Sequence, residues 1–106
     1  MVIEISAENF EAEINQSDKP IVLDVYATWC GPCQQMAPVF EELSKEVPSV
    51  KFAKVNIDEY RDLAVQYQVS SIPTFVFIKD GNVVGKEMGY MNKEVLMGKI
   101  KEKLAL

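Results

Sequence analysis

Seven residues from Ile21 to Ala27 are apolar at every position except Asp24. A run without the polar–apolar alternation of a one-sided strand belongs in a sheet covered on both faces. Covering both faces calls for helices, and the rest of the chain offers helical patterns in alternation with further strand-length runs.

Val2 to Ile5 opens the chain as a short apolar strand, and Ser6 stands where it can cap a helix carrying Phe10 and Ile14 on one face. Pro20 ends that segment. A long helix is expected to begin near Cys30, with Met36, Ala37, Phe40, Leu43 and Val47 turned inward and Glu41, Glu42, Lys45 and Glu46 outward. Pro38 lies inside it and is expected to kink it. Val50 to Ile57 reads as a strand, Tyr60 to Tyr67 as a short helix and Thr74 to Ile78 as a strand. Asp80-Gly81 signals a hairpin turn into Asn82 to Met88. Asn92 can cap a final helix on which Leu96, Ile100 and Leu104 recur every four residues. Strands separated by helices tend to run parallel, and the hairpin adds antiparallel members. The expected class is α/β, with a mixed central sheet between helices. The 106 residues show no repeat or linker, so one domain over 1–106 is expected. Nearly half of them (48%) are hydrophobic, enough for a core without disulfide staples.

Charge narrows the function. The net charge is −5 and the eleven basic residues form no run, which argues against nucleic acid and against anionic membrane surfaces as partners. No apolar segment approaches the roughly 20 residues that span a bilayer. Met1-Val2-Ile3-Glu4-Ile5 lacks the basic and apolar stretches of a secretory signal, so a cytoplasmic protein is expected.

In a reducing compartment two cysteines two residues apart point to redox chemistry or metal binding. Cys30 and Cys33 in the first turn of a helix face the same side, so a disulfide between them can open and close with little backbone movement. Pro32 fits there because the amide it lacks would have no intrahelical partner. A helix amino terminus also favours a thiolate. The chain has no histidine, so a Cys–His catalytic pair is excluded. The more exposed Cys30 is expected to attack and Cys33 to resolve the mixed disulfide. Zinc asks for four protein ligands, and two cysteines supply half a site, so zinc would need a second chain and is not expected.

Asp24, in a buried strand just upstream, is a costly carboxylate that should favour its protonated form. It can take the proton of Cys33, through a water, or it can be a paired strand-edge residue without a chemical role. Lys54 is unexpected in its strand too; it can partner Asp24, although a packed stem with its head in water is the plainer reading. On the same physics Pro73 reads as an ordinary trans proline opening a strand, and Gly89 as a turn residue.

Asp24-Val25-Tyr26-Ala27-Thr28-Trp29-Cys30-Gly31-Pro32-Cys33, with Ala37-Pro38 after it, closely resembles the active-site signature of the thioredoxin family. The likeness continues through Lys54 to Asp58, Ser71-Ile72-Pro73-Thr74, Lys79-Asp80-Gly81 and Met88-Gly89, covering essentially the whole chain. The resemblance implies the thioredoxin fold, with five mixed strands flanked by four α-helices, and a protein-disulfide reductase in which Cys30 is nucleophile and Cys33 resolving thiol. It implies Asp24 as buried proton acceptor with Lys54 beside it, and Pro73 as a cis-proline facing the disulfide. A substrate segment would pair with the backbone near Ile72. Trp29, Gly31, Pro32, Ile57, Ile72, Met88 and Gly89 match an apolar docking surface for disulfide-containing proteins. No bound cofactor is implied; electrons would come from NADPH through a separate flavoprotein, thioredoxin reductase, and the chain would act as a monomer. Tyr26 stands where many members carry Trp, and Gln34 where a basic residue is usual. Gly-Pro between the cysteines resembles reductases, whereas oxidases and isomerases of this fold usually carry histidine there.

Overall fold

The computed structural model describes residues 1–106. Five strands form one sheet in the order β1-β3-β2-β4-β5, with β1 at Val2–Glu4, β2 at Ile21–Tyr26, β3 at Lys51–Asn56, β4 at Thr74–Lys79 and β5 at Asn82–Met88. β1, β3 and β2 run parallel; β4 is antiparallel to β2 and β5 to β4. The mixed sheet and its two covered faces follow the expectation from sequence.

Helices α1 (Gly31–Glu46), α2 (Arg61–Gln66) and α3 (Lys93–Lys103) are α-helical, and a fourth helical segment, Glu11–Asn15, is a π-helix. The expected cap at Ser6 is inverted there. The Ser6 amide donates to Asn9 Oδ1 at 2.8 Å, while Asn9 Nδ2 donates to the Glu4 carbonyl at 2.9 Å. Asn9, not Ser6, thus ties the segment to β1. Phe10 and Ile14 still turn into the core together.

Strand alternation sends successive residues of β2 to opposite faces. Leu23 and Val25 meet Val55, Val76, Ile14 and Leu63 on one side. Val22 meets Phe52, Phe75 and Phe77 on the other, under Met36, Phe40 and Leu43 of α1 and Leu96 and Ile100 of α3. The Phe40 ring centres this layer, 5.1 Å from the Phe52 ring and 5.9 Å from that of Phe75. α1 runs from Gly31 to Glu46 with Pro38 inside it. Ala37, expected inward, is exposed, because it lies about 100° around the helix from the buried Met36. Val47 is only half-buried, at the point where α1 ends.

Asp24 has the parity of Val22, so it faces α1. It stands in register with Lys54 of β3 on one side and Phe75 of β4 on the other.

Candidate active site

Cys30 is the N-cap residue of α1, with extended backbone (φ −89°, ψ 115°), and Pro32 lies within the first turn. Cys30 and Cys33 are joined as a disulfide with their Cα atoms 5.2 Å apart. The Cys33 amide donates to Cys30 Sγ at 3.2 Å, and no acidic side chain occupies the first turn. When the pair is reduced, that amide and the helix dipole both favour negative charge on Cys30.

The expected contrast in exposure between the two cysteines is slight, at 6% for Cys30 and 4% for Cys33. Their surroundings separate them instead. Cys30 Sγ lies 4.0 Å from the Ile72 carbonyl oxygen at the surface side. Cys33 lines a cavity of about 50 Å³ together with Asp24, Ala37, Phe40 and Lys54, room enough for a water.

The Ile72–Pro73 peptide is cis, contrary to the reading from sequence physics and in accord with the resemblance. Neither the amide nor the carbonyl of Ile72 takes part in a backbone–backbone hydrogen bond. Around this edge, Trp29, Ile57 and Ile72 line one groove, and Ile57 and Ile72 pack against the cysteines. Trp29 is 68% exposed, its indole N–H held by Asp58 Oδ2 at 2.9 Å. Met88 is 64% exposed, and the Ser71 hydroxyl donates to its sulfur at 3.1 Å. Gly89 has φ +91°, a conformation that suits glycine, and its amide donates to the Pro73 carbonyl at 2.8 Å. Gly31 and Pro32 are exposed on the first turn of α1. Gln34 Nε2 donates to the Thr28 carbonyl at 2.6 Å, so this side chain braces the loop before the cysteines.

Asp24 is 4% exposed, and its Oδ1 has no hydrogen-bond partner. Burial pushes its carboxyl up from 3.8 to about 7; the Lys54 ammonium pulls the other way and Glu4 adds to the rise. Lys54, although in register with Asp24, is ion-paired with Glu4 at 3.8 Å and lies over the Tyr26 ring, 5.6 Å from its centre. Lys54 thus borders the Asp24 cavity while its head reaches Glu4 near the surface.

Asp58 and Glu4 drew no role from sequence. Asp58 ends a stretch that resembles the family, and its bond to Trp29 spans 29 positions. Glu4 gives no local signal at all; only the sheet order brings it beside Lys54. No group of three or more His, Cys, Asp or Glu side chains is arranged to hold a metal ion.

The family model described as Thioredoxin matches residues 1–102. The chain is 45% identical over 96 residues to a thioredoxin of Chlamydia pneumoniae, covering 91% of this chain and 92% of that one. A thioredoxin of Haemophilus influenzae is 43% identical over 96 residues, 90% of each chain. A thioredoxin H-type of Picea mariana is 44% identical over 87 residues, 79% of this chain and 70% of that one.

Proposed function

Because the chain belongs to the thioredoxin family, and is therefore a thiol-disulfide oxidoreductase that carries electrons as a dithiol, we propose a role for each residue of its site. The Cys30 thiolate attacks one sulfur of a substrate disulfide. That S–S bond breaks, a mixed disulfide forms, and the departing substrate thiolate takes up a proton. Asp24, as carboxylate, accepts the proton of Cys33 through a water in the shared cavity. The Cys33 thiolate then attacks Cys30 Sγ, closes the Cys30–Cys33 disulfide and expels the second substrate sulfur as a thiolate, which takes up the proton held by Asp24 and leaves as a thiol. Two electrons pass to the substrate in each cycle.

The observation that carries this reading is the Cys33 amide on Cys30 Sγ at a helix N-cap, beside the unclaimed backbone of Ile72. A substrate segment adds to that backbone as an extra strand. Trp29, Gly31, Pro32, Ile57, Ile72, Pro73, Met88 and Gly89 form the docking surface, and its mostly uncharged character suits many protein partners. A thioredoxin reductase drawing on NADPH reopens the disulfide, since the sequence has no nucleotide-binding loop of its own. The protein works as one domain and as a monomer, in the cytoplasm, where a reducing pool keeps the dithiol poised.

Insulin reduction followed by turbidity, with dithiothreitol as reductant, tests the reading. Rapid precipitation that Cys30→Ser abolishes is expected; precipitation no faster than with dithiothreitol alone would overturn it.

A further inference from the structure

β1 and β2 flank β3, and this order sets two carboxylates, Glu4 and Asp24, on either side of one ammonium, Lys54. All three side chains point to the α1 face. Lys54 Nζ lies 3.8 Å from Glu4 Oε1 and makes no ion pair with Asp24 within 4.0 Å. The Tyr26 hydroxyl donates to both Glu4 oxygens at 3.0 Å, and its ring underlies the ammonium. Glu4 is therefore fixed in place by Tyr26 while it engages the lysine.

We propose that Glu4, pinned by Tyr26, is a positioning residue that diverts Lys54 from Asp24 and so keeps the buried carboxyl protonated to higher pH. The inference rests on the role of Asp24 proposed above. Two effects of Glu4 act in the same sense: its own negative charge opposes ionisation of Asp24, and its pairing draws the ammonium off from a direct ion pair with that carboxyl. The direction agrees with the charge of Glu4 at Asp24, while Lys54, without a direct ion pair there, still favours ionisation from a distance. The other titratable groups around the carboxyl are Tyr26 on its own strand and Cys33 and Glu41 from α1; its β4 neighbour is Phe75, which carries no charge. Tyr26 itself is held protonated, by burial first and then by its bond to Glu4.

The test is the titration of the Asp24 carboxyl by carbon-13 NMR in the full-length oxidised protein, where Cys33 cannot titrate with it. Glu4→Gln is expected to move the midpoint to lower pH by about half a unit, and Tyr26→Phe to move it the same way by less. Because Glu4 and Lys54 are each close to half-exposed, at 47% and 40%, the shift should shrink in high salt. An unchanged or raised midpoint in Glu4→Gln overturns the inference. Tyr26→Phe decides on the same criterion if Glu4→Gln does not fold. Insulin reduction against pH then separates this from the role of Asp24. If Asp24→Asn leaves rate and pH profile intact, the proton-acceptor reading fails, whereas the NMR midpoints still decide what Glu4 does.

Discussion

At Asp24 the folded state withholds an ionisation that the unfolded chain permits. Below about pH 4 both states hold the proton and the side chain adds no pH dependence. Between about 4 and 7 the unfolded chain releases its proton while the folded chain keeps it, so stability falls as pH rises. Above that window the loss is complete and constant. Asp24→Asn is therefore expected to stabilise the protein by about 2–4 kcal/mol at pH 8 and by much less at pH 4. Urea unfolding at the two pH values measures it, and equal gains at both would exclude this origin. Asp58 lends itself to a different test, since the chain has a single tryptophan. Asp58→Ala leaves the Trp29 indole without its partner. The expected outcome is altered tryptophan fluorescence and about a two- to tenfold loss in kcat/KM for a protein disulfide, with stability changed by under about 1 kcal/mol. The reactive pair was legible from the residues, because cysteine spacing and a helix start suffice to place it. The brace on Trp29 was not, because its two ends lie far apart in the chain.

Among the elements, those with long patterns were read correctly to within a residue or two. The first helix was not. Phe10 and Ile14 can share a face in either an α-turn or a π-turn, so their spacing leaves the helix type open; the segment is a π-helix, preceded by Asn9 bound to Ser6 and Glu4. Ala37 shows a second limit: residue type alone placed it inward, whereas the angle around α1 leaves it at the surface. The cis bond before Pro73 came only from the family resemblance, because bond energetics favour trans. At the start of α3 the sequence signal held. Asn92 Oδ1 accepts from the Val95 amide at 2.9 Å, and Asn92→Ala is expected to cost about 1 kcal/mol, read as a lowered urea midpoint. Phe40→Ala should cost more, about 3–5 kcal/mol, since this ring fills the layer between α1 and the sheet.

For the whole molecule, the strand order was the part the sequence concealed. Periodicity marks where strands lie but not which become neighbours, so Lys54 beside Asp24 came with the family resemblance, whereas the meeting of Glu4 with both needed the fold. That order also ranks local stability. β2, paired on both sides and covered on both faces, should hold the slowest-exchanging amides, while β1 and β5, at the edges, exchange sooner. Native-state hydrogen exchange checks this, and protection in β5 equal to that in β2 would contradict it. Asp24 has one more consequence. Proteins ordinarily buffer near neutrality with imidazoles, and this chain has none. A carboxyl raised to about 7 takes over that office beneath the disulfide. Disulfide exchange is therefore expected to vary with pH through that range if Asp24 takes the proton of Cys33 as proposed.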